Sequence, residues 1–391
     1  MIKILKNPFF IYPISFTVVF LLYALGWSNL FPHISTSVFL FFGITFLFYI
    51  LIGYYMSVKK VIGYMKLDGS VNVTKQLVFV LLGFLLEFKV VGDVPLFSLL
   101  NGDLGVGYRD FGIKTFHVIL VTYNSFITVV LFHKWLSDKN RKNFLLYVLS
   151  MLPGLLIMSR GVFMIGLFSS FFVYIQSNEF NLTLKKIFFF SSLLLGVLYL
   201  FGFLGNLRSG HGDSEYVPKQ SLATNEFMHS KIPKEFYWTY LYGASPLANF
   251  QHNINSTKDV DLDPVGFLLY EGLPMVISKK IKGIVDVEMR KAYLMVHWLT
   301  VGTIFSDSYS YIGWYGPVFL SFFLFFFMII IISMIPKKNP YHVSVIAILS
   351  TLVFLNTFDN MLTFDGIFLQ FVFPIVITLL SKIKWPQIKL N

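Results

Sequence analysis

Apolar runs of about 15 to 25 residues, closed off one after another by small lysine clusters, recur along the whole chain. Such runs leave the backbone few choices. In hydrocarbon every N–H and C=O must be paired within the protein, so only helices and closed barrels can cross a bilayer. Barrel strands alternate apolar with polar residues, and these runs do not. A water-soluble fold fares no better: with 56% of residues apolar and 13% charged, 391 residues cannot bury their own apolar surface. The expected fold class is therefore an all-α polytopic membrane protein.

About ten transmembrane helices are expected: Phe9 to Gly26, Ser37 to Met56, Gln76 to Val91, Thr115 to Phe132, Phe144 to Met158, Val162 to Ile175, Ile187 to Leu204, Pro317 to Ile335, Val343 to Leu355 and Gly366 to Leu380. The first reads as a retained span, because no small-residue cleavage site follows it. The stretch Phe144 to Ile175, with Arg160 in its middle, is compatible with one long tilted helix or with two crossings, and basic clusters at both its ends favour two. Lysines fall in every second connection: Lys3 and Lys6, Lys59 to Lys75, Lys134 to Lys142, Lys185 and Lys186, Lys337 and Lys338, then Lys382 to Lys389. By the positive-inside rule that side is cytoplasmic and holds both termini. Topology thus accounts for the net charge of +11, and no nucleic-acid partner is expected. The chain divides into helices 1 to 7 over 1–206, one large outer loop over 207–315 carrying short interfacial helices such as Pro264 to Ser278, and helices 8 to 10 over 316–391.

Chemistry is confined by what is missing. There is no cysteine, which removes thiolate catalysis, thiolate metal sites and disulfides. No glycine-rich phosphate loop, metalloprotease helix motif or nucleophile elbow occurs, and Asp259, Asp261 and Asp263 lack the glycine and terminal glutamate of a calcium loop. No metal or cofactor is expected. The arginines are informative. Lysine outnumbers arginine 26 to 5, yet Arg109, Arg160, Arg208 and Arg290 map to the outer side and only Arg141 to the lysine-rich side. A planar, permanently charged fork suits phosphate or diphosphate, so these four are candidates to hold a diphosphate-linked substrate; pairing with nearby carboxylates is the plainer alternative. His252, His297 and Asp307 in the outer loop are candidate acid–base residues. Trp238, Tyr240 and Tyr242 could stack on sugar rings or form an interfacial aromatic belt. Glu87, inside the third run, is an intramembrane carboxylate, and Asp359 and Asp365 flank the last outer turn.

Four passages resemble the Wzy-type O-antigen and oligosaccharide repeat-unit polymerases. They are Gly92-Asp93-Val94-Pro95-Leu96-Phe97 with Tyr108-Arg109-Asp110-Phe111-Gly112, then Met158-Ser159-Arg160-Gly161, then Tyr242-Gly243-Ala244-Ser245-Pro246-Leu247-Ala248-Asn249, and Thr303-Ile304-Phe305 through Asp307 and Tyr311 to Gly316. The resemblance implies a GT-C-like helical fold in a bacterial inner membrane, with its active site facing the periplasm. It implies a metal-independent glycosyltransferase that moves a growing glycan from its undecaprenyl-diphosphate carrier onto an incoming lipid-linked unit. Outer arginines would hold the diphosphate, with His252 or His297 on the acceptor side. Membrane lipids and a chain-length regulator are the implied partners. An O-antigen ligase or a flippase for the same lipid-linked units is the alternative; the histidine invoked in the ligases has no counterpart here, which leaves the base open.

Overall fold

Capping residues set where the apolar runs become helices. The computed structural model describes residues 2–67, 71–101, 111–177, 183–208, 213–257, 259–285 and 287–382. Asn7 accepts the Phe9 N–H at 3.1 Å and Pro8 occupies the first turn, which starts α1 (Pro8–Ala24). After α2 (Thr36–Val58), Asn72 caps α3 (Val73–Val91), which stops at Gly92 with φ 75°, a left-handed conformation that glycine adopts without strain. Next come α4 (Phe116–Asp138), α5 (Arg141–Leu156), α6 (Arg160–Gln176), α7 (Leu184–Arg208), α8 (Phe236–Ser256), α9 (Ser306–Ile312), α10 (Tyr315–Met334), α11 (His342–Leu355) and α12 (Val372–Lys382). Short helical turns fill most of the remainder, so the described residues are all-helical and free of extended strands.

Four of these helices, α2, α4, α7 and α10, are long and apolar enough to cross a membrane. Others expected as spans are shorter: 17 residues in α1 and in α6, and 14 in α11. The stretch from Phe144 to Ile175 is two helices, α5 and α6, joined by a tight turn at Ile157–Ser159 in which Met158 takes φ 58°.

The helices hold one another through paired polar side chains set among apolar ones, the arrangement that helix packing in an apolar solvent favours. Tyr12 of α1 stacks on Tyr49 of α2 at 4.1 Å and donates to Thr45, and Tyr49 donates to the Ser321 carbonyl of α10 at 2.9 Å. Asn124 of α4 donates to the Ser150 carbonyl of α5 at 2.9 Å. Between α6 and α11, Phe168 meets Phe354, Ser169 donates to Thr351 at 3.0 Å, and Gln176 reaches the Val343 carbonyl. The order of those contacts makes the two helices antiparallel.

This register sorts the connections between two ends of the bundle. At one end Lys6 donates to the Gln176 and Ser177 carbonyls, Lys134 to the Val71 carbonyl, Gly63 lies against the Lys337 side chain, and Asn339 donates to Thr378. Most of the described lysines outside 213–304 collect there. The opposite end carries the α1–α2 and α5–α6 turns, the turn after α11, and the long segment between α7 and α10.

That long segment departs from the expectation of a loop with short surface helices. Its α8 has 21 residues and packs against α1 and α7, with Leu247 and Phe250 fully buried in the same core as α1 and α11. Hydropathy alone does not reveal α8, because its second half is rich in Asn, Gln and Ser. Those amides are buried and bonded: Gln251 accepts the Ser35 N–H at 2.8 Å, and Asn249 and Asn253 hold the chain that follows. The stretch from Pro264 to Ser278 is not one amphipathic helix either. It is a helical turn, Pro264–Phe267, running into a π-helical turn, Leu268–Gly272, with a break at Pro274 before Met275–Ile281.

Candidate functional site

Two asparagines four residues apart lie on one face of α8 and act as a clamp. Asn249 donates to the Leu299 and Val301 carbonyls at 2.7 and 2.8 Å and accepts the Met295 N–H at 3.1 Å. Asn253 donates to the Ser306 carbonyl at 2.9 Å and accepts the Tyr293 N–H at 2.9 Å. Both are fully buried. Extended backbone with no strand neighbour needs such partners, and the amides supply them. The clamped chain, residues 291–304, forms one wall of a cavity of about 290 Å³ at the lysine-poor end. The start of α9, the π-helical turn and the turn after α11 complete it.

Among the described residues, four charged side chains line this space: Glu271, Lys291, Asp307 and Asp359. Asp307 has both carboxylate oxygens engaged, one by the Lys291 ammonium at 2.5 Å and the other by the Ala292 N–H at 2.9 Å. Burial by itself would lower the Lys291 ammonium, but the Asp307, Glu271 and Asp359 carboxylates outweigh it and hold Lys291 above its ordinary value. Glu271 differs from both. Its residue surface is 5% exposed, its Oε2 accepts from Asn360 at 3.0 Å, and its Oε1 has no hydrogen-bond partner among the described residues. Burial, reinforced by the Asp307 carboxylate, pushes the Glu271 carboxyl up to about 8. The surrounding protein and then Asp307 also raise the Asp359 carboxyl, although its surface is open to the cavity. The site therefore offers a lysine–aspartate ion pair beside a buried carboxyl raised well above the ordinary carboxylate range.

The expected site residues distribute unevenly over this geometry. Asp307 lines the cavity. His252, half-buried on α8 with Ser256 at 3.4 Å, does not, and neither does His297, which is exposed. Arg290 adjoins Lys291 in sequence, but its guanidinium is taken by the Asp261 carbonyl at 2.5 Å and the Asp261 carboxylate at 3.2 Å, with Asp263 at 3.9 Å. The carboxylate-pairing alternative describes it. Arg160 is exposed at the first position of α6, without an ion-pair partner among the described residues. Because α6 and α11 are antiparallel, it stands at the same end of the bundle as Asp359. Arg208 is the last residue of α7, and its side chain, like Arg109 as a whole, lies outside the described residues.

The aromatic candidates lie along the first half of α8, away from the cavity lining. Tyr240 is 1% exposed, packed against Trp27 and Phe31 with its hydroxyl accepting the Ser28 N–H, so it serves the core. Trp238 donates to Asn206 at 2.6 Å and stacks on Tyr242, which is 37% exposed. Glu87 is fully buried and binds His117 at 2.8 Å and the Ile113 N–H at 3.1 Å, holding the turn before α4.

Glu271 is the residue that sequence reasoning missed. Its signal was present: a lone carboxylate in Phe267-Leu268-Leu269-Tyr270-Glu271-Gly272-Leu273, where burial is expected to be costly. Its partner Asn360 is 89 residues away, which no local pattern reveals. No family model, curated protein or solved structure matches the chain.

Proposed function

We propose that the chain polymerises lipid-diphosphate-linked oligosaccharide repeat units at the periplasmic face of a bacterial inner membrane, as a glycosyltransferase that uses neither metal nor nucleotide. About ten membrane crossings, with both termini and the lysine-rich end in the cytoplasm, complete this reading. The observation that carries it is the cavity: a cluster of carboxylates and one ammonium at the lysine-poor end of an apolar helical bundle. A hydroxyl attacking a glycosyl diphosphate needs a proton acceptor, a neutralised surrounding for the departing diphosphate, and exclusion of water. The lining supplies an acceptor in its carboxylates and a cation in Lys291, and Arg160 stands exposed at the same end. The Met158 to Gly161 and Thr303 to Gly316 passages, which resemble the repeat-unit polymerases, fall at the α5–α6 turn and across the cavity wall into α10.

Deletion in the native host tests this reading by the lipopolysaccharide ladder on a gel. The expected result is a single repeat unit on each molecule and no ladder. A ladder that persists overturns the reading, and loss of even the single unit transfers the chain to ligation or to lipid flipping.

A further inference from the structure

We propose that Glu271 is the proton-exchanging group of the cavity, the base that takes the proton of the attacking sugar hydroxyl. This rests on the polymerase reading for its substrate, and on geometry for its assignment. Among the lining carboxylates, Asp307 has one oxygen engaged by Lys291 and the other by the Ala292 N–H. Asp359 accepts the Asn360 N–H at 2.8 Å and is open to solvent. Glu271 alone combines a buried side chain with an oxygen that no described group occupies.

The backbone beneath it is equally particular. Glu271 rides on a π-helical turn, Leu268–Gly272, a distortion that recurs at functional sites. Leu269 and Phe267 anchor that turn in apolar surroundings. From the other side Asn360 donates to both the Glu271 carbonyl and its Oε2, at 2.9 and 3.0 Å, which fixes the carboxyl plane and leaves Oε1 to the cavity. With burial holding this carboxyl in the neutral range, its ionised form is a stronger base than an ordinary carboxylate.

The step balances without a further reactant. The acceptor hydroxyl oxygen bonds to the anomeric carbon of the donor as its proton passes to Glu271 Oε1. The bond from that carbon to the diphosphate oxygen breaks, and its electron pair leaves with the lipid diphosphate. Glu271 then returns the proton to water. Lys291 stays protonated throughout, balancing the Asp307 charge and the departing anion.

Two measurements on the full-length protein in lipid separate this assignment from the polymerase reading. The first uses dicyclohexylcarbodiimide, an apolar reagent that modifies protonated, buried carboxyls, with sites located by mass spectrometry. Glu271 is expected to be labelled at pH 7 and to lose labelling as pH rises through about 8, while exposed carboxylates stay unlabelled. The second is chain extension of a purified lipid-linked repeat unit. Wild-type rates are expected to climb with pH to a plateau above about 8. Glu271→Gln should lower kcat by roughly a hundredfold or more with little change in KM, the size of lost general base catalysis. Glu271→Asp, which keeps the carboxyl, should retain more activity and a pH-dependent limb, and it guards against a Gln variant that fails to fold. Absence of labelling at pH 7 overturns the assignment whatever the substrate, as does wild-type turnover by Glu271→Gln. Normal labelling in a protein that extends no lipid-linked unit overturns the polymerase reading instead and leaves the proton-exchanging carboxyl standing.

Discussion

Asn360 restrains Glu271 through two hydrogen bonds, and one of them acts on charge. An N–H aimed at a carboxylate favours the ionised form, so this bond pulls the Glu271 carboxyl down against the larger effect of burial. Removing it in Asn360→Ala should therefore shift the rise of activity with pH toward higher pH, and the carbodiimide labelling limit should move with it. An unmoved profile would mean that Asn360 only supports the backbone. At this scale the sequence was a poor guide. Histidine is the usual side chain that titrates near neutrality, and His252 and His297 were natural candidates. Here a glutamate is brought into that range by its surroundings, and surroundings are a property of the fold.

Helix α8 shows the same limit one level up. Apolar runs were legible as helices because their near-unbroken length stands out along the chain, and the α5–α6 break was marked by Arg160. The second half of α8 has no such signature, since Asn249, Gln251 and Asn253 look like surface residues until their tertiary partners are known. They are clamps for the cavity wall. Asn253→Ala would strip the Tyr293 N–H and the Ser306 carbonyl of their partner. The expected loss is about 1–3 kcal/mol of stability per buried group left unpaired, read as a lower melting temperature of the detergent-solubilised protein. Activity should fall further than stability, because residues 291–304 carry Lys291 and lead into Asp307. A melting temperature equal to wild type would show that the wall holds without the clamp.

The whole molecule has two chemically distinct ends, and the absence of cysteine makes their sidedness easy to measure. A single cysteine in place of exposed Glu226, in the segment after α7, should react in intact spheroplasts with a membrane-impermeant maleimide. One in place of exposed Lys338, before α11, should react only after the membrane is opened. The reverse pattern would invert the topology, and with it the side on which the cavity opens. Charge distribution made the lysine-rich end readable from sequence, whereas the cavity was not, because its walls come from four segments spread between Asn249 and Asn360. The exposure of α7 fits the same picture: only 6% of the most apolar 18-residue window within Leu184–Leu207 is buried, so nearly all of that window is available to lipid.

Helix α11 sits at the centre of this bundle, and its 14 residues give it a length of about 21 Å. The hydrocarbon slab is about 30 Å thick. If the lysine-rich end is set at one membrane surface, the far tip of α11 stops roughly 10 Å short of the other. Asp359 and Asn360 follow directly from that tip. On the polymerase reading the cavity would then be a sunken well, its floor below the surrounding lipid headgroups, so that a carrier lipid drifting in sideways would present its diphosphate without being lifted out of the bilayer.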